Sequence, residues 1–475
     1  MKPILASLCL AAAAALLQPT TTHAQSGILL KTFNVKAGKL LLDPKRPRLY
    51  ATLPLDNSLA VIDTNTNTVT STFFIGSSPA DLAISPDGTR LYVANRGSTS
   101  AAIGVVDLTN LTVLPSLPAP FAPATVASGL DNRLYVLTSG YGFSGGGIAQ
   151  IDATTGVNQT TFGSDVVYQG GFLQISPDGK TLFFADSGIS PSKLASFDVS
   201  TATPGAANVA PFDSTGSNGE SLTISHNGKY IVFPNGGGNG NGSYTTSLIP
   251  TNNISGVVGS FNTGAYPGPV AFSTDDSLLY QVQSYGGSNG QSAFKVFSTT
   301  TFTQLDSFVD PNANSRSGYG TNPTSIVVTE PHGYLYVAQT DGTFNNAAGN
   351  LELVSTQRAP FFDGSVALSN GFYYLKFADG VPFGYYNFNF TPYLYHQDLG
   401  FEYPFDAADG AGGIYLYDFT AKTFWYTSSA LFPYLYDFTL NSWLYYYPNP
   451  NDPDRYNTNG VRYFYDFNLG RVITR

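Results

Sequence analysis

The chain has one cysteine in 475 residues, Cys9, and it lies inside an apolar N-terminal stretch. Past that stretch there is no thiol. Disulfides, thiolate nucleophiles and cysteine metal sites are therefore excluded from the rest of the protein. Charge is also scarce. Charged residues make up 11% of the chain, against about 25% in an ordinary globular domain. The balance is acidic, 32 Asp+Glu against 22 Lys+Arg, a net charge of −10. A nucleic-acid partner requires a basic face to displace phosphate counterions, so none is expected. Beyond His23 the only histidines are His226, His332 and His396. No two of them are close enough in sequence to form a local metal pair, so no metal and no cofactor is expected. No long stretch carries a sustained 3.6-residue apolar period, and the fold class is read as all-β.

The start of the chain reads as an export signal. Lys2 supplies a positive start, Ile4 to Leu17 is almost unbroken apolar sequence, and Thr22 and Ala24 are small residues ahead of Gln25. The run is too short to span a bilayer and no stop-transfer segment follows. Leu8, before Cys9, is not the small residue of a lipoprotein signal. Residues 1–24 are expected to be a signal peptide, and the mature chain to have no membrane span. The expected location is the periplasm, the extracellular space or the cell surface.

What is abundant is strand and turn chemistry: 31 Tyr and 34 Phe with many Val and Thr, and 49 Gly to make turns. One unit recurs seven times, an apolar strand, a turn, and a second strand carrying Leu-Tyr or its equivalent. Its anchors are Tyr50, Tyr92, Tyr135, Phe183, Ile231, Tyr280 and Tyr336. Their spacing, roughly 40–55 positions, suits the four-stranded blade of a β-propeller. Ser85-Pro86-Asp87-Gly88 and Ser176-Pro177-Asp178-Gly179 read as tight turns between the first two strands. In the third copy, Thr125 to Tyr135, Thr125 is taken as the counterpart of Leu82. The seventh unit has no fourth strand before Ala359-Pro360, while Ile28 to Asn34 stands unpartnered ahead of the first. Pairing those two pieces closes the ring and leaves no open strand edge. The expected fold is a seven-bladed β-propeller over residues 25–357, closed by its N-terminal strand.

Asp81 to Asn95, reading Asp-Leu-Ala-Ile-Ser-Pro-Asp-Gly-Thr-Arg-Leu-Tyr-Val-Ala-Asn, with Val61 to Val69 before it, resembles the YVTN-type propeller repeat. The resemblance extends over residues 28–357 and places the chain among the surface-layer and lactonase-like propellers. Relatives with this repeat include surface-layer proteins, secreted binding proteins and, more remotely, lactonase and haem d1 propellers. The resemblance implies fold more than function.

After Arg358 the composition shifts to crowded Tyr and Phe with a different, shorter repeat. Copies begin at Pro392, Ile414, Pro433 and Arg462, each a short aromatic strand, a polar turn and a second aromatic strand. Residues 358–475 are expected to form a small aromatic β-hairpin repeat domain, since lone hairpins are marginal and must pair to bury a face. The copies resemble the aromatic hairpin repeats at the ends of exported bacterial proteins and, loosely, choline-binding-type wall modules. Tyr395, Trp425, Tyr436 and Trp443 are the candidate exposed rings, able to act as platforms for sugar rings.

The residues ending the second strands, Asn95, Thr138, Asp186, Asn235, Gln283 and Gln339, are expected around the propeller mouth together with Arg96. That nearly neutral set suits hydrogen bonding to a polar ligand or a peptide more than acid–base chemistry. Gly-x-Ser-x-Gly occurs at 142–146 and 286–290 in glycine-rich loops without the following helix of a nucleophile elbow. The Asp/Asn/Pro clusters at 310–314 and 449–454 have oxygen ligands for calcium but match no calcium loop, and read as turns. No catalytic residue is assigned. The sequence predicts an exported, non-catalytic binding or scaffold protein. Its expected partner is cell-envelope polysaccharide or another protein. The alternative is a secreted propeller enzyme, a lactonase or sugar-acting hydrolase, which would need Arg96, Asp186 and Glu220 in one pocket.

Overall fold

The computed structural model describes residues 29–97, 101–138, 146–168, 170–186, 192–211, 217–219, 221–237, 245–264, 267–283, 293–309, 323–329, 334–339, 349–355, 360–362, 364–368, 372–390, 393–407, 409, 412–447 and 461–475. The leader, Glu220, His332, the serines of both Gly-x-Ser-x-Gly matches and the two Asp/Asn/Pro clusters lie outside them. The chain forms two compact units, divided between residues 357 and 358.

The first unit is a seven-bladed propeller of four-stranded antiparallel sheets. In each of the first six blades the strands follow chain order from the channel outward. Blade two runs Pro79–Ile84, Arg90–Asn95, Ala102–Asp107 and Thr112–Pro118. Its second strand buries Leu91, Tyr92, Val93, Ala94 and Asn95 without a break, whereas the outer strand is mostly exposed. The cause is geometric. A middle strand has a neighbouring blade against each face, so both sets of alternating side chains are covered. The Leu-Tyr signature marks these doubly covered strands.

Blade seven is assembled from both ends of the unit. Pro323–Thr329, Tyr334–Gln339 and Gly349–Ser355 come from the end, and Leu29–Ala37 pairs antiparallel with Gly349–Ser355 as the outer strand. Phe33 sits in that seam, buried against Tyr336 with ring centroids 6.0 Å apart.

The turns between first and second strands act as staples between blades. In blade two Gly88 takes φ 72°, and Asp87 accepts the Thr89 N–H at 2.9 Å. Blade six puts Asp276 in the glycine position, at φ 61°. Its carboxylate reaches the turn of blade five, accepting from His226 N and Asn227 N, both at 2.8 Å, and meeting His226 Nδ1 at 3.0 Å. His226 is thus part of a joint between blades.

Two local departures from the repeat have visible causes. In blade three Gly129 N donates to Arg133 O, where blade two has Ser85 N donating to Arg90 O. The turn is one residue shorter, so Thr125 takes the place of Asp81 and not of Leu82, a one-residue correction to the third copy. In blade five the second strand stops at Val232 because Pro234 has no N–H for the ladder. The chain pairs again as a two-stranded ribbon, Ser217–Gly219 with Asn235–Gly237.

Replacing Phe33 by Ala removes a buried ring from the closing seam and is expected to cost about 3–5 kcal/mol of unfolding free energy. Urea denaturation of the full chain checks this. A cost below about 1 kcal/mol would mean that the seam does not hold the ring.

Candidate functional site

The seven inner strands leave one edge each facing a central channel, and that edge carries backbone groups without a ladder partner. Polar side chains on the inner strands bind much of this edge to the next blade. Asp81 Oδ2 accepts from Val126 N at 3.1 Å, and Thr125 Oγ1 donates to Gly171 O at 3.0 Å. Thr223 Oγ1 donates to Val270 O at 3.0 Å, and Ser325 Oγ accepts from Leu40 N at 3.1 Å. Buried backbone groups need such partners. At the entry of four inner strands the chain avoids the problem by supplying proline: Pro79, Pro123, Pro267 and Pro323 each begin a strand.

The channel encloses about 1150 Å³. Its wall includes Lys39, Leu41, Asp43, Arg46, Asp81, Arg96, Thr125, Phe172, Gln174, Ser221, Thr223, His226, Ser325 and Val327. Near the first-to-second-strand turns, Asp43 pairs with Arg46 at 2.9 Å and accepts the Tyr50 hydroxyl at 2.8 Å. Burial pushes the Asp43 carboxyl up, but the Lys45 N–H, Tyr50 hydroxyl and Arg46 guanidinium outweigh it and hold it below the usual carboxylate range. Higher in the channel, Lys39 Nζ stands 3.8 Å from Asp81 Oδ1. Burial dominates at Asp81 and raises its carboxyl above the ordinary range, with Lys39 and two backbone N–H groups opposing.

Of the residues expected at the mouth, Arg96 lines the channel. Asn95 and Asp186 do not, and this corrects the sequence expectation. Asn95 is buried with its Nδ2 donating to Ile75 O at 3.2 Å, and Asp186 is fully buried with Oδ1 near Tyr168 N at 3.4 Å. The reason is one strand's width. These positions pair with the first residues of the inner strands, Asn95 with Pro79 and Asp186 with Gly171. They therefore lie about 4.8 Å behind the wall. Thr138, Asn235, Gln283 and Gln339 occupy the matching backbone positions, opposite Pro123, Gly219, Pro267 and Pro323. Their side chains lie outside those described. Arg96 and Asp186 do not share the channel wall, as the enzyme alternative would need. Sequence reading misses Lys39 and Asp81. The signal is available: each directly precedes the first leucine of its inner strand, Leu40 or Leu82.

The second unit is an eleven-stranded antiparallel meander from Val366–Ala367 to Arg471–Thr474. Along its repeat strands buried positions alternate with more open ones. In Tyr434–Asp437, Leu435 and Asp437 are buried while Tyr434 is exposed and Tyr436 half-buried, and Tyr463–Asp466 repeats the pattern. The sheet coils so that inner side chains from distant strands meet. The tilted rings of Trp425 and Phe464 lie 5.4 Å apart, and from the connections between strands Phe432 meets Phe377 at 5.8 Å.

The inward Asp of each repeat caps its own hairpin. Asp437 Oδ1 accepts from Thr439 N and Leu440 N, both at 2.9 Å, and Asp466 Oδ1 accepts from Asn468 N at 2.9 Å. His396 takes this position in the first full copy. Its Nδ1 accepts from Leu399 N at 2.9 Å, so the ring hydrogen is on Nε2, donated to Phe383 O at 2.6 Å. Burial depresses this imidazole to about 4. Asp418 forms a two-pronged pair with Arg462, buried on both sides, and Arg462 also donates to Leu399 O at 2.8 Å. Beside them Glu402 is buried, and burial together with the Asp418 charge raises its carboxyl well above the ordinary range.

The outer face is lined with rings. Phe438, Phe467 and Tyr463 are among the most exposed, and cross-strand rings touch, Tyr434 with Tyr445 at 5.2 Å and Tyr415 with Tyr426 at 5.4 Å. Trp443 is exposed here, while Tyr395 and Tyr436 are half-buried against Phe401 and Trp443. Trp425, expected among the exposed rings, is fully buried, which corrects that assignment. It stands opposite Leu416, whose face is the inner one, and its indole N–H donates to Asp437 Oδ2 at 3.2 Å. Trp443 stands opposite Tyr436, on the outer face. The two strands have the same phase, Thr423 opposite Asp418 and Ser442 opposite Asp437, and the tryptophans stand one position apart in them, third and second.

Blade count, strand order and closure define the chain as a seven-bladed β-propeller protein with a C-terminal β-rich unit. No protein-family model matches it. A segment of 69 residues is 38% identical to the "Seven-bladed beta-propeller protein Rv1057" of Mycobacterium tuberculosis, covering 14% of this chain and 18% of that protein. Among solved structures, the β-propeller domain of Cps50 (Swd1) from Myceliophteria thermophila is similar with a TM-score of 0.51 and 11% identity. The match covers 70% of this chain and 100% of that domain. A match to Kuenenia stuttgartiensis hydrazine synthase covers 70% of this chain and 98% of that chain, with a TM-score of 0.44 and 18% identity. These likenesses concern the fold.

His396 yields a test of the second unit. Its folded value of about 4 lies below the unfolded value of about 6.5. The unfolded chain therefore binds the extra proton first, and the His396 contribution is lost as pH falls through this window. Asn in its place keeps an acceptor for the turn without titrating. The stability advantage of wild type over His396→Asn is expected to shrink by about 3 kcal/mol between pH 7 and pH 4. Denaturation midpoints at several pH values measure it, and a constant difference would show that the imidazole is not held neutral.

Proposed function

We propose that the chain is an exported, non-catalytic binding or scaffold protein that attaches to cell-envelope polysaccharide through the outer face of its C-terminal sheet. The observation that carries this reading is the run of exposed Tyr, Phe and Trp rings on that face. Contiguous exposed apolar surface marks interaction sites, and Tyr and Trp present an apolar ring beside a hydrogen-bonding group, the pairing that sugars offer in return. The low charge of the chain agrees with a neutral polymer as partner. The leader-like segment from Met1 to Ala24 and the resemblance of Asp81 to Asn95 to YVTN-type repeats support an envelope or extracellular location. The enzyme alternative has less behind it, because Asp186 is buried away from the channel that Arg96 lines.

The test is retention of the full mature chain on purified insoluble cell-wall polysaccharide, compared with the double variant Trp443→Ala, Tyr434→Ala. Both rings are exposed and lie on neighbouring strands. At about 1 kcal/mol for each ring, affinity is expected to fall about 30-fold. Equal retention of the two proteins would remove this face as the attachment surface.

A further inference from the structure

Among the described residues, the upper channel of the propeller has a charge balance opposite to that of the chain. The protein carries a net charge of −10. Of the charged groups on the channel wall, Asp43 and Arg46 neutralise each other as a pair. Among the described residues that leaves Lys39 and Arg96 with Asp81 in the sector of blades one and two. Lys39 Nζ is 3.8 Å from Asp81 Oδ1, and Arg96 follows Ala94, the cross-strand partner of Asp81, by two residues. Arg96 forms no ion pair among the described residues. Among the described residues this sector of the wall therefore holds two cations and one carboxylate, and that carboxylate is engaged elsewhere, since Asp81 Oδ2 takes the Val126 N–H that joins blade two to blade three. Enclosed walls focus such a field, so a surplus of one charge here attracts an anion more than it would on open surface.

The adjoining wall limits which anion fits. Two residues along the inner strand from Lys39 stands Leu41, and on the neighbouring blade seven Val327 also lines the channel. These groups suit an apolar body and offer nothing to a second charge. We propose that this sector binds a small organic monocarboxylate with a short apolar stem. The carboxylate lies between the Lys39 ammonium and the Arg96 guanidinium, and the stem lies along Leu41 and Val327. This site is separate from the aromatic face, so either reading can fail without the other.

The test is isothermal titration of the full mature chain with hexanoate, hexanol and inorganic phosphate. Hexanoate is expected to bind, with hexanol and phosphate each at least about tenfold weaker, because one lacks the charge and the other the stem. Lys39→Gln and Arg96→Gln are each expected to weaken hexanoate about tenfold, the loss of one charge-assisted hydrogen bond. Asp81→Asn keeps an oxygen for Val126 N and removes the opposing charge, so it is expected to tighten hexanoate several-fold. A gain of affinity cannot come from misfolding. The proposal is overturned if hexanoate shows no binding at millimolar concentration, or if hexanol binds equally well. It is also overturned if Asp81→Asn leaves the affinity of hexanoate unchanged.

Discussion

Leu29–Ala37 pairs with Gly349–Ser355, joining the start of the propeller to its end, and the other six blades depend on that junction. A ring of sheets has no stable partial form, because each blade buries its faces against two neighbours. Without the last strand, blade seven would have three strands and an open edge, a template for pairing with other chains. The seam is held by strand pairing between opposite ends of the unit and by the Phe33 ring over Tyr336. Closure of so long a loop is entropically costly, and the two ends meet only because the intervening repeats bring them round.

The same closed geometry makes the channel and then forces its chemistry. Inner strands must satisfy an edge that no strand covers. Aspartate, threonine and serine at Asp81, Thr125, Thr223 and Ser325 do so by reaching the next blade. These polar groups are structural first. What is left over on the wall is the part available for recognition: Lys39 beside Asp81, and Arg96, which has no ion partner among the described residues. The joint between His226 and Asp276 shows the same logic at the turns, where a histidine with an acid beside it ties two blades together.

Blade number, closing strand and the second β-rich unit are legible in the sequence because each rests on local, repeated pattern. Legibility ends where the answer depends on register. Thr125 is displaced by one position because a shortened turn is invisible in a degenerate copy. Trp425 and Trp443 are both ring positions of the repeat, yet in strands of the same phase Trp425 is the third residue and Trp443 the second, which exchanges core for surface. Asn95 and Asp186 end their strands as expected, yet they stand one strand behind the channel. Long-range pairs leave no trace at all. Nothing in the spacing of Asp418 and Arg462, 44 residues apart, announces a buried ion pair. Pro234 does carry a legible signal, a residue without an N–H in a strand otherwise like the others.

In the second unit the alternation of strands divides labour between two faces. Leu, Trp and capping Asp fill the inner face, and the remaining Tyr, Phe and Trp rings have no covering layer among the described residues. Hydroxyl-radical footprinting of the full mature chain, with and without soluble cell-wall polysaccharide, tests most directly whether those rings are the attachment surface. Oxidation of Tyr434, Trp443 and Tyr463 is expected to fall when polymer is present, with Leu41 and Val327 in the propeller channel unchanged. Unchanged oxidation of the outer rings in the presence of bound polymer would contradict that expectation.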